Sequence, residues 1–313
     1  MKKENVILDT DPGIDDAMAL LLLHALPSID VRAISTVFGN ASIEDCTRNA
    51  LYICERFSLP YPVYKGAGVT FAGLAETEYP DFVHGADGLG DVGFPLPKRR
   101  AESQSSVTYM IETLRATSEP IEVLAVGRMT NVAEALKQAP DIAPLIQRIV
   151  IMGGAVEVPG NVTEWAEANI YGDPEAAAFI FDSGVPVLMV GLDATLQHRM
   201  KKTALMSLRD QLGDAGEFLW HIKQCYLKFY ADKGIFDGFP IHDSTAALAL
   251  VHPECFEIRR GRLVCETQGG PRGRTVLTAS EAGPHAVAMA ADSEKLTAIF
   301  EAAMLAKYGA GSQ

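Results

Sequence analysis

The sequence predicts an α/β fold: an open, mainly parallel sheet with helices on both faces, plus a small antiparallel C-terminal portion. Three observations point there. Strand-like runs alternate with helical runs over much of the 313 residues. Those strand runs are apolar on both faces, as strands covered by helices on either side must be. Residues 255–290, by contrast, read as short antiparallel strands with turn signals at Gly261 and at Gly269-Gly270-Pro271.

Taken in order, residues 5–10 form a buried strand and 15–26 a nearly all-apolar helix. A second strand spans 31–38 and a second helix 43–57. Strand 121–126 leads to helix 131–138, strand 148–152 ends in Gly153-Gly154, and helix 174–181 leads to strand 185–190. Residues 66–104 are rich in Gly and Pro and read as loops. Residues 214–232 read as a helix, 244–251 as a short buried helix and 296–307 as a closing helix. No internal repeat and no linker-like boundary interrupts the chain, so 1–313 reads as one domain.

Composition narrows the function. The net charge of −13 argues against a nucleic-acid or anionic-membrane partner, because both demand clustered Lys and Arg. The one tight basic run, Lys98-Arg99-Arg100, reads as a solvated loop. The five cysteines, Cys46, Cys54, Cys225, Cys255 and Cys265, show no C-x-x-C spacing, hence neither a disulfide framework nor a zinc signature. Cys46 and Cys54 fall in one helical pattern and read as small hydrophobes. The opening MKKENVILDTDPG has no long apolar stretch, so no ordinary signal peptide is expected, and no run of eighteen apolar residues occurs. These features fit a cytoplasmic protein that handles a small molecule.

Four polar clusters follow strand-like runs, where ligands bind in open parallel sheets. Asp9-Thr10-Asp11-Pro12-Gly13-Ile14-Asp15-Asp16 puts four carboxylates in eight residues. Helix capping by Asp15 or Asp16 accounts for one or two of them. Four together repel unless a cation sits among them, and hard cations take several oxygen ligands. Ile241-His242-Asp243-Ser244 precedes a buried helix and offers a further acid beside a proton donor, although Asp243 is also an ordinary cap. The segment from Gly160 to Asn169 is rich in Asn and Glu, which suit sugar hydroxyls, or else is a polar loop. In Gly127-Arg128-Met129-Thr130-Asn131, Thr130 is placed either to cap the next helix or to offer its carbonyl to a cation.

Together these segments resemble the nucleoside hydrolases, the inosine-uridine preferring nucleoside N-ribohydrolases. The segment DTDPGIDDAMAL is close to that family's signature. Thr36-Val37-Phe38-Gly39-Asn40, Thr130-Asn131, Met152-Gly153-Gly154, the stretch 161–174, His242-Asp243 and the late Glu266-Thr267 and Arg272-Gly273-Arg274-Thr275 follow in family order. The likeness covers nearly the whole chain. It implies a nucleoside hydrolase-like fold with a Rossmann-like core and a tightly bound Ca2+. By motif position, Asp11, Asp16, Asp243 and the carbonyl of Thr130 look like the metal ligands. Asp15, Asn40, Met152, Asn161, Glu167 and Asn169 look like the ribose-binding set, and His242 like the residue near the leaving base. Tyr226 and Tyr230, at i and i+4, look like an aromatic pair over the base, with helix packing as the plainer alternative. A homotetramer or homodimer is the family expectation. Three positions depart from the pattern: Arg128 where Pro is usual, Ala168 where Phe is common and Leu196 where His is frequent. They bear on base preference, which the sequence does not set.

The implied reaction is Ca2+-dependent hydrolysis of the N-glycosidic bond of a ribonucleoside, through an oxocarbenium-like transition state. Asp11 would act as general base and His242 would donate a proton or strong hydrogen bond to the base. Two other readings compete. One is a catalytically silent nucleoside-binding or sensor protein on the same scaffold. The other is a metal-dependent phosphohydrolase, against which stand the lack of a Gly-rich phosphate loop and of any Lys or Arg within the acidic cluster.

Overall fold

The computed structural model describes residues 3–309. Met1 and Lys2, on which the leader reading partly rested, and the last four positions of the 1–313 domain assignment lie outside the described residues. The chain runs β1 (Glu4–Thr10), α1 (Ile14–Ala25), β2 (Ile29–Thr36), α2 (Ile43–Arg56), β3 (Val63–Lys65), α3 (Asp81–His84), α4 (Ser106–Ala116), β4 (Ile121–Ala125) and α5 (Thr130–Gln138). It continues β5 (Ile146–Met152), α6 (Ala168–Gly172), α7 (Pro174–Phe181), β6 (Val187–Val190), α8 (Leu192–Thr195), β7 (Arg199–Lys201), α9 (Lys202–Gln211) and α10 (Gly213–Asp232). It closes with β8 (Gly238–Pro240), α11 (His242–Ala249), β9 (Phe256–Cys265), β10 (Thr275–Ala279), β11 (His285–Ala291) and α12 (Ser293–Tyr308).

Nine strands form one sheet in the order β10-β9-β11-β6-β5-β4-β1-β2-β3. The run from β3 to β11 is parallel throughout. Side chains alternate faces along each strand. Val6 and Leu8 of β1 therefore join a core with α1, α10, α11 and α12, while Ile7 joins one with α4, α5 and α7. Helices thus cover both faces. Successive strands leave β1 in opposite directions, toward β2 and toward β4. The carboxyl ends of β1 and β4 are therefore a topological switch point, where such sheets open a binding crevice.

The C-terminal portion carries the small antiparallel part that the sequence suggests. β9 pairs antiparallel with both β10 and β11, but β11 returns parallel to β6. Gly261 is not a turn: it lies inside β9, paired with Ala279 on one side and His285 on the other. A Cβ there would collide with backbone of the β10 strand, so the glycine serves close backbone approach rather than chain reversal. The Gly269-Gly270-Pro271 signal does fall between β9 and β10. Helix α4 and the short pair β7–β8 have no counterpart in the sequence reading. Cys46 and Cys54 are buried in α2, as expected. Arg99 is not wholly solvated: its guanidinium donates to the carbonyls of Leu59 (2.8 Å) and Tyr61.

Candidate active site

The switch point gathers the first acidic cluster. Asp9, Asp11, Asp15 and Asp16 are all buried, at the end of β1 and the first turn of α1. Asp16 serves the helix: its Oδ2 accepts the backbone N–H of Gly13 at 3.0 Å and the side-chain amide of Asn40 at 2.9 Å, and its Oδ1 accepts the Thr10 hydroxyl at 2.6 Å. The capping reading and the ligand reading therefore converge on one residue. Asp11 accepts the backbone N–H of Asn40 on Oδ2 at 2.8 Å, while its Oδ1 is buried with no protein partner. Gly39 and Gly127 press on the same carboxylate; a Cβ at Gly127 would come within 2.6 Å of Oδ1. Asp9 turns away from this set, accepting from Asn131 at 2.8 Å and from Ser35.

Helix α11, packed in the same core as α1, brings Asp243 from far along the chain. Its backbone N–H donates to Oδ2 of Asp15 at 3.1 Å. The electrostatics of the group are those of acids crowded together. Burial and the Asp16 charge push Asp11 well above the usual carboxylate range, and burial with the charges of Asp16, Asp15 and Asp11 does the same to Asp243. Burial raises Asp16 as well. Burial also works on Asp15, but the charge of Lys223, with the hydrogen bonds from Lys223 and the Asp243 N–H, outweighs it and holds Asp15 below its usual value.

Lys223 is the residue that the sequence reading missed, and it corrects the statement that the acidic cluster holds no Lys. It reaches across from α10, fully buried, with Nζ 2.9 Å from Oδ1 of Asp15. Asp15, assigned to ribose, thus already carries a partner on each oxygen. His84, at the end of α3, was missed too. Its Nδ1 accepts the N–H of Ile14 at 3.2 Å, which leaves Nε2 to carry the proton, and burial lowers its pKa to about 3. Neither residue has a local signal, since each meets the cluster only through the fold.

The same helix α10 carries Tyr226 and Tyr230, packed edge to face at 5.7 Å. Tyr226 also meets the His84 ring edge-on at 5.6 Å, and the Tyr230 hydroxyl lies 3.4 Å from Nε2 of His242. His242 is buried, with Nδ1 2.8 Å from the Thr195 hydroxyl. Burial and the charge of Lys223 lower its pKa against the pull of Asp15, so the imidazole is neutral near neutral pH.

On the opposite flank, the ends of β4 and β5 hold the Asn and Glu residues. Asn169 donates its side-chain amide to the carbonyls of Val126 (2.7 Å) and Met152 (3.1 Å). Glu167 caps α6, accepting the N–H groups of Gly154, Asn169 and Ile170. Asn161 is exposed and accepts the N–H of Ala168 at 3.0 Å. Thr130 does not cap α5: it is the first helical residue, preceded by Met129, and its hydroxyl donates to Asp173 at 2.6 Å. Its carbonyl belongs to the first turn of the helix and keeps a second lone pair.

Of the departures, Ala168 and Leu196 are exposed. Arg128 is buried, paired with Glu76 at 2.9 Å and stacked 4.4 Å over the Phe38 ring, and its charge offsets a small part of the upward push on Asp11. Among the described residues, no three acidic, His or Cys side chains already form a metal cage. The donor chemistry nevertheless fits a hard divalent ion. Asp11, Asp16 and Asp243 are buried within reach of one another's charge, and Oδ1 of Asp11 has no protein partner.

Residues 6–298 match the family model described as inosine-uridine preferring nucleoside hydrolase. The chain belongs to that family. Among curated nucleoside hydrolase relatives it is 39% identical to a probable uridine nucleosidase 1 of Oryza sativa subsp. japonica, over 88% of this chain and 85% of that one. Among solved nucleoside hydrolase structures, a plant nucleoside hydrolase, PpNRh1, superposes with a TM-score of 0.93 at 32% identity, covering 97% of this chain and 99% of that one. A purine-preferring ribonucleoside hydrolase from Gardnerella vaginalis gives 0.92 at 34% identity, covering 96% and 98%. The fold is therefore that of the nucleoside hydrolases, and its members cleave ribonucleosides to ribose and base. No helix among the described residues is long and apolar enough to cross a membrane.

Proposed function

We propose that this nucleoside hydrolase is a single catalytic domain that cleaves the N-glycosidic bond of ribonucleosides with the help of Ca2+. Asp11, Asp16, Asp243 and the carbonyl of Thr130 would hold the ion. The single observation that carries this reading is that Asp11, Asp16 and Asp243 are all buried and act on one another's charge, with the Asp243 N–H bonded to Asp15, the neighbour of Asp16. Burying several acids together is costly unless a cation shares the site.

A divalent ion held there supplies a more acidic, fixed water and a hold on vicinal hydroxyls. The chain's own residues do the rest. Asp11, with its free Oδ1, takes the proton of the attacking water. Asp15 and Asn40 line the ribose from the α1 side, and Met152, Asn161, Glu167 and Asn169 from the β4–β5 side. His242, oriented by Thr195, donates a hydrogen bond or proton to the departing base. Tyr226 and Tyr230 pack beside that base. The neutral state of His242 in the free protein suits hydrogen-bond donation to the base; delivery of a whole proton would require the imidazolium form.

Uridine is the proposed first substrate, supported by the 39% identity to a probable uridine nucleosidase 1. The resemblance to a purine-preferring structure makes inosine the necessary comparison. A role in nucleoside salvage, a cytoplasmic location and assembly as a homodimer or homotetramer complete the proposal. Ribose release from uridine and from inosine tests it: release from uridine at the higher kcat/KM is the expected result. Tight binding of both without release would favour the silent binder, and phosphate release from a nucleotide the phosphohydrolase.

A further inference from the structure

We propose that Lys223 is a resident counter-cation of the carboxylate cluster: a positioning residue that holds Asp15 against Asp243 and sets how tightly the cluster takes a divalent ion. This rests on the reading of Asp11, Asp16 and Asp243 as metal ligands.

Lys223 is the one lysine among the described residues that is buried, and it is fully so. Lysine is almost never buried without a partner. Its partner is Oδ1 of Asp15 at 2.9 Å, and the other oxygen of Asp15 accepts the N–H of Asp243 at 3.1 Å. The rings of Tyr226 and Phe239 cover the ammonium, 4.6 and 4.9 Å from Nζ to their centroids. Such a pair is a poor device for stability, since desolvating two charges offsets most of their attraction. Helix α10 already packs through Phe218, Leu219 and Ile222. What the pair does touch is the cluster, because Asp15 precedes Asp16 in the chain and is bonded to the backbone of Asp243.

One fixed positive charge beside these acids has two consequences. It offsets part of their mutual repulsion, so the site keeps its shape before an ion arrives. It also repels an arriving divalent cation, because charges in a buried site are screened little by solvent or salt. The site is thereby preformed, with an affinity lower than its number of carboxylates implies. The same contact ties α10, which carries Tyr226 and Tyr230, to α1 and to α11, which carries His242.

The test is Ca2+ titration of the metal-stripped full chain, in competition with a chelating dye, for wild type, Lys223→Met and Lys223→Arg. Lys223→Met is expected to bind Ca2+ roughly tenfold more tightly or better. It should also melt below wild type when stripped, with the gap closing as Ca2+ is added. Lys223→Arg should stay near wild type in affinity. Unchanged or weaker Ca2+ binding by folded Lys223→Met overturns the proposal, since a purely structural lysine gives that result. If Lys223→Met does not fold, the comparison moves to the Asp15→Asn background. There, adding Lys223→Met must tighten Ca2+ binding relative to Asp15→Asn alone, and failure to do so overturns the proposal. A wild-type chain that binds no Ca2+ overturns the metal reading itself, a result distinct from an unaffected Lys223→Met.

Discussion

Gly39 has no side chain because Oδ2 of Asp11 occupies the place where one would stand: a Cβ there would collide with the carboxylate. The next residue, Asn40, donates its backbone N–H to that same oxygen. The turn after β2 therefore shapes Asp11 directly, and Gly39→Ala must push the carboxylate aside. Expected are a stability loss of about 1–3 kcal/mol from overpacking and a fall in turnover of about 10²-fold from the displaced base. Wild-type turnover in folded Gly39→Ala, measured by ribose release, would show that the position of Asp11 does not matter.

Asp11→Asn keeps the shape of the side chain and removes its basicity. Turnover should fall by about 10²- to 10⁴-fold, with an unchanged far-UV spectrum. Near-normal turnover would remove Asp11 from the mechanism.

His242→Ala separates leaving-group assistance from ribose binding. The variant should lose about 10²- to 10⁴-fold on uridine or inosine, yet far less on a riboside whose leaving group needs no protonation. Equal losses on both substrates would contradict the role given to His242.

His198 supplies a pH signature from outside the proposed ligand set. The Thr245 hydroxyl is committed as a donor to the carbonyl of Ile241, so Nδ1 of His198 must donate to Thr245 at 2.8 Å. Burial lowers its pKa to about 4. The folded form is thus neutral where the unfolded chain, near the usual value of about 6.5, binds a proton. Stability from this group is present above about 6.5 and is lost as pH falls toward 4, to a total on the order of 3 kcal/mol. Denaturant melts between those pH values should show one proton less of slope in His198→Gln. An unchanged slope would contradict a neutral buried His198.

The parts of the site that lie together in the chain were legible in the sequence. Asp11 and Asp16 flank a Pro-Gly turn between an apolar strand and an apolar helix, and that pattern marks both the elements and the acids. His242-Asp243 could be placed at a helix start for the same reason. Lys223 could not be placed, because its partner Asp15 lies 208 residues away and an amphipathic helix gives no sign of which polar residue turns inward. His84 meets Ile14 across 70 residues from a four-residue helix. The three-residue strands β7 and β8 are too short to show a period, yet they bring His198 and His242 to one end of the fold. Gly261 misled because a glycine chosen for close packing inside a sheet has the same local signature as one chosen for a turn.

The most direct measurement is ribose release from uridine by the wild-type chain before chelation, after removal of divalent ions and after return of Ca2+. The account predicts that release is lost on stripping and returns in proportion to Ca2+ bound. Undiminished release from the fully stripped protein would contradict it.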